Sequence, residues 1–118
     1  MRILIVSWEY PPVIVGGLGR HVYQLATALA ADGHDVVVLS RQPSGTDPAS
    51  HPTTDSVSEG VRVIGAAHDP HEFDFFVDMM AWTLAMGHSM LRAGMRLGTW
   101  TPEVVHAHDW LAAHPAVA

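Results

Sequence analysis

The chain has 118 residues, 48% of them hydrophobic and 15% charged, with a formal net charge of −6. That length holds one domain with one core, and the composition is that of a compact fold rather than a disordered tail. There is no block of Lys or Arg and no cysteine, which argues against a nucleic-acid surface or polybasic membrane patch, excludes disulfides and Cys-ligated zinc, and fits a cytoplasmic protein.

Ile3 to Ser7 is a continuous, β-branched apolar run, the signature of a central parallel strand covered on both faces. It stops at Ser7 with Glu9 behind it, too short for the core of a signal peptide. Trp8 to Gly17 carries two prolines and two glycines and reads as a loop. A helical pattern starts at Leu18, with Val22, Leu25 and Leu29 on one face and Gly33 as its stop. Val36 to Leu39 is a second buried strand, so the first forty residues read as one βαβ unit.

Arg41 to Gly60, rich in Pro, Ser, Thr and Asp and without periodicity, is expected to be a long loop without structure of its own. Val61 to Ile64 is a short third strand, and His68 to Phe73 a second loop. A long helix is expected from Asp74 to Leu97. Its two apolar rows, Phe76-Met80-Leu84-Gly87-Leu91-Met95 and Phe75-Met79-Trp82-Met86-Met90, form a wide band that implies extensive burial or contact. Gly98 ends it. Val104 to His108 is the last strand, and Asp109 to Ala118 reads as a turn with a helix beginning at Pro115. The pattern breaks off where a further helix is due, so the natural product is expected to be longer. No stretch of about 18 uncharged apolar residues is present, so no membrane span is expected. The expected fold is α/β, a Rossmann-like parallel sheet with flanking helices.

Two stretches can carry chemistry. Pro11 to Gly19 lies between a strand and a helix, where open α/β sheets bind ligands. Paired Gly16 and Gly17 let backbone amides approach an anion without a Cβ in the way, and the following helix N-terminus favours negative charge. An acidic chain can hold a phosphate in this manner. The competing reading is a tight turn that lets the helix pack on the strand. The G-G-x-G spacing is not the dinucleotide fingerprint, and the Walker A lysine is missing. The second stretch is Val105 to Trp110, at the carboxyl end of a strand. His106 and His108 share one face there, next to Asp109. Hydrogen bonds to sugar hydroxyls, acceptor orientation and general-base work by His108 or Asp109 are open to it. So are metal binding, for which further ligands are not evident, and plain packing with Asp109 as a cap. His34 is expected to meet the last carbonyls of the first helix, and His51, His68, His71 and His88 read as ordinary surface or loop residues.

In order and spacing, P-P-x-x-x-G-G-x-G-R at Pro11 to Arg20, G-H-x-V-x-V-L at Gly33 to Leu39 and V-V-H-A-H-D-W at Val104 to Trp110 resemble retaining GT-B glycosyltransferases with two Rossmann-like domains. This group includes glycogen and starch synthases, sucrose-phosphate synthases and mannosyltransferases. Asp69 to Phe73 with Asp78 to His88 further resembles mycobacterial α-1,4-glucosyltransferases of glycogen or methylglucose lipopolysaccharide synthesis. The resemblance implies that residues 1–118 are the N-terminal, acceptor-side domain, without the second, nucleotide-sugar-binding one. It implies transfer of a sugar, with glucose expected, from UDP- or ADP-glucose to an oligo- or polysaccharide acceptor with retention of configuration, and no bound cofactor or metal. Gly16 and Gly17 would face the donor diphosphate, and His108 and Asp109 would line the reaction centre. Ile14 stands where glycogen synthases often carry a lysine, which favours the broader family, and the family's histidine in the next loop would lie beyond Ala118. The alternatives are a non-catalytic Rossmann-like module that binds a nucleotide or partner, and a different enzyme on the same sheet, such as a sugar-nucleotide epimerase.

Overall fold

The computed structural model describes residues 1–11, 17–42, 49–67, 77, 79–108 and 116. Within them the elements run β1 (Arg2–Ser7), α1 (Gly17–Ala31), β2 (Asp35–Arg41), β3 (Thr54–Ser58), β4 (Val61–Ala66), α2 (Met79–Gly94) with a 3-10 turn at Met95–Leu97, and β5 (Val104–His108). The strands form one sheet in the order β3-β4-β2-β1-β5. β1, β2, β4 and β5 are parallel, and β3 is antiparallel to β4.

The alternation of side chains along β1 and β2 divides the core into two layers. Ile3, Ile5, Val36, Val38 and Val61 pack beneath α1 with Val22 and Ala26. Leu4, Val6, Val37, Leu39 and Ile64 face the other way, onto Trp82, Met86 and Met90 of α2. Buried on both sides, β1 and β2 need apolar residues at nearly every position, and this is why they read as unbroken apolar runs. Met86 is fully buried. Met86→Ala is expected to destabilise by about 2–5 kcal/mol, seen as a lowered denaturation midpoint of the full-length protein.

α1 ends as its glycine dictates. Gly33 has φ +93°, its N–H donates to the Ala30 carbonyl, and the His34 N–H donates to the Leu29 carbonyl. This is a Schellman motif. His34 thus meets the helix end through its backbone, while its ring lies 3.6 Å from the Asp32 carboxylate.

One expectation needs correction. The interval from Arg41 to Gly60 is not structureless. Arg41 closes β2, and Thr54–Ser58 forms β3, joined to β4 by Glu59 and Gly60. Both turn residues have positive φ, 53° and 77°, as a two-residue type I′ hairpin requires. All five β3 residues are exposed, so the strand is held by backbone pairing and by Arg62, which forks onto Asp55 at 2.9 and 2.8 Å. Burial does not drive it, and hydrophobic periodicity is silent about it. Gly60→Val, a β-branched residue forced to positive φ, should cost roughly 1–2 kcal/mol of stability in a thermal melt. The long helix is buried along much of its length, as expected, on one side. Trp82, Met86 and Met90 are buried, but Met80, Leu84 and Met95 are exposed at 65%, 47% and 80%. One apolar row of α2 therefore enters the core and most of the other faces outward.

Candidate active site

Four parallel strands, β1, β2, β4 and β5, end on one rim. In the β1–β5 register, Ile5 lies opposite His106 and Ser7 opposite His108. Both histidines therefore leave the sheet on the face that α1 covers. Their ring centroids are 4.2 Å apart. The His21 ring, from α1, approaches His108 edge-on at 5.9 Å with planes at 61°. His21 is one helical turn after Gly17, so the two lie on one side of α1. The N-terminal turn of α1 and the end of β5 thus share a rim.

Each group there has a physical character. Gly17 is exposed, and a Cβ built on it would meet nothing within 4 Å. His108 is half-buried, and its Nε2 is buried with no hydrogen-bond partner among the described residues. Burial, then repulsion from His106 and His21, hold its pKa below the ordinary histidine value. It is therefore a neutral imidazole at neutral pH, able to donate from one nitrogen and accept at the other. Ser7, its neighbour on β1, is fully buried, and its hydroxyl donates to the Glu9 carbonyl at 2.6 Å. Behind the rim, Trp8 packs edge-on against Trp82 at 5.3 Å, and the Arg41 guanidinium sits 5.0 Å from the Trp8 ring. Burial lowers the Arg41 pKa to about 10, which leaves it cationic at neutral pH.

Of the four expected site residues, Gly17 and His108 are thus brought to one rim. Gly16 and Asp109 lie outside the described residues. Among the described residues, no group of three or more His, Asp or Glu side chains is placed to hold a metal ion, and no helix is long and apolar enough to cross a membrane. Sequence reasoning did not single out His21, Trp8 or Arg41. For His21 a signal existed: it falls one helical turn after the paired glycines, on a helix expected to start at that rim.

Residues 2–118 match the family model described as the starch synthase catalytic domain. The chain is 74% identical over 124 residues to a glycogen synthase of Mycobacterium tuberculosis, covering all of this chain and 30% of that protein. It is 35% identical over 117 residues to a D-inositol 3-phosphate glycosyltransferase of Kineococcus radiotolerans, covering 94% of this chain and 26% of that one. Among solved structures, sucrose-phosphate synthase from Thermosynechococcus elongatus superposes with a TM-score of 0.64 at 18% identity, over 95% of this chain and 28% of that one. That likeness places the sheet and its helices in the GT-B fold. The chain spans about a third or less of the length of these proteins. Isoleucine at position 14, in place of the common lysine, has not taken it out of the glycogen and starch synthase group.

Proposed function

This chain belongs to the starch synthase catalytic-domain family, and on that premise we propose that it is the acceptor-side Rossmann-like portion of a retaining α-1,4-glucosyltransferase. In this reading the enzyme works in the cytoplasm, takes glucose from UDP- or ADP-glucose, and passes it to a glucan or related acceptor. A second domain, outside this chain, supplies most contacts to the nucleotide. Gly16 and Gly17 face the donor diphosphate, and His108 and Asp109 contact the transferred sugar or the acceptor.

The observation that carries this reading is the shared rim. The helix that begins at Gly17 and the strand that ends at His108 meet through His21, at the carboxyl ends of parallel strands. Open α/β sheets bind their ligands there. The helix N-terminus offers amides to an anion, and the neutral imidazole offers a hydrogen bond to an uncharged hydroxyl. A diphosphate and a sugar are the two halves of the donor.

The test is an assay of the full-length protein against UDP-, ADP- and GDP-glucose with malto-oligosaccharides as acceptors. Glucosyl transfer with an α-configured product is expected. The 118-residue chain alone is expected to show none, because the leaving diphosphate needs preorganised positive or dipolar groups that a second domain contributes. Turnover by the short chain would overturn the two-domain reading. A full-length protein that binds nucleotide but transfers no sugar would support a non-catalytic module instead.

A further inference from the structure

The imidazoles at the rim come from two elements. His106 and His108 belong to β5, and His21 belongs to α1. His108 lies between a strand neighbour at 4.2 Å and a helix neighbour at 5.9 Å. Its buried Nε2 is unpartnered among the described residues. The hydroxyl opposite it on β1 is committed elsewhere, since Ser7 donates to the Glu9 carbonyl and accepts from the Glu9 N–H. An imidazole nitrogen turned inward without a partner is costly unless something else satisfies it.

Resting on the glucosyltransferase reading above, we propose that His21 is a positioning residue for the transfer, fixing the half-buried His108 ring at the rim so that its accessible edge meets a hydroxyl of the bound sugar. An edge-on ring contact contributes only about 0.5–1.5 kcal/mol. What it supplies is orientation, because His108 stands on the edge strand of the sheet, where only β1 flanks it within the described residues. His21 has a second effect that follows from charge. Among the described residues, His108 is faced by His106 from β5, His21 from α1 and the Ser7 hydroxyl from β1, so the titratable groups described around it are two imidazoles, and Asp109, which follows it in the chain, lies outside the described residues. Each imidazole opposes a proton on His108, His106 more than His21, after burial itself. The ring therefore remains a neutral hydrogen-bonding group as the pH falls below neutrality, and this function is lost as the pH drops through its depressed pKa.

Two substitutions in the full-length enzyme separate positioning from mere packing. His21 is exposed, so neither opens a cavity. His21→Phe keeps an edge-on ring and removes the ionisable group. His21→Ala removes both. Ring titration of His108, followed by NMR with labelled histidine and assigned through His108→Asn, should move to higher pH in both variants. The acid limb of the kcat profile should move with it. On the plateau, His21→Ala should lose on the order of tenfold in kcat, and His21→Phe should restore most of that loss. A titration and acid limb that coincide with the unsubstituted enzyme in both variants would overturn the proposal. So would a His21→Phe enzyme as slow as His21→Ala. The ring titration needs no turnover, so a failed donor assay counts against the glucosyltransferase reading while an unmoved titration counts against the role of His21.

Discussion

In the full-length enzyme, Gly17→Val is expected to raise the donor KM by on the order of 10- to 100-fold while the melting temperature stays close to that of the parent. The separation of the two effects comes from the structure. A glycine can be required for its φ, for a crowded Cβ position, or for the approach of something external. The φ of Gly17 is outside the left-handed region, unlike those of Gly33, Gly60 and Gly98. No described atom lies within 4 Å of the Cβ that a substitution would add. Among the described residues neither strain nor internal crowding therefore explains a glycine here, and valine, whose helix propensity is no worse than that of glycine, costs the fold little. The branched side chain would instead occupy the space over the first turn of α1, where the proposed diphosphate meets the helix amides. Donor titrations at saturating acceptor, with thermal melts on the same preparations, provide the measurement. A destabilised enzyme with normal donor KM would return Gly17 to the role of a tight turn.

The elements legible in the sequence are those whose formation depends on burial. β1 and β2 are apolar on both faces because helices cover both, and α1 packs Leu18, Val22 and Leu29 of its expected stripe on the sheet, with Ala26 in place of Leu25, and stops at Gly33. β3 was not legible, because Thr54 to Ser58 buries nothing and is recruited by the β4 backbone across a turn set by Glu59 and Gly60. The same limit applies to α2. Its two apolar rows look alike in sequence, yet only the one facing Leu4, Val37 and Ile64 is taken into the core. At the site, the shared face of His106 and His108 followed from the two-residue period of a strand. The meeting of His21 with His108 did not, since it depends on how far α1 extends over β5. Positions on one element can be inferred from periodicity, whereas a contact between two elements requires their relative placement.

Asp109→Asn in the full-length enzyme is expected to lower kcat by on the order of 10²-fold. Asp109 directly follows His108, the last residue of β5, whose backbone the register with Ser7 fixes at the rim. The substitution preserves size and hydrogen-bonding reach and removes one negative charge. Transfer of a glycosyl group builds positive charge on the departing sugar, and in the proposed role the Asp109 carboxylate would stabilise that charge more than it does the uncharged ground state. The loss should therefore fall mainly on kcat, with donor KM little changed, the opposite pattern from Gly17→Val. A carboxylate serving only to cap a turn or helix start predicts another outcome, a loss of about 0.5–2 kcal/mol in stability with turnover per folded molecule nearly intact. Melting temperature and kcat measured on the same preparations distinguish the two. The double substitution adds a further check. If Gly17 acts on donor binding and Asp109 on the chemical step, their free-energy effects on kcat/KM should add to within about 0.5 kcal/mol. A strongly non-additive pair would place both groups on the same part of the substrate and overturn the division of the rim into a diphosphate side and a sugar side.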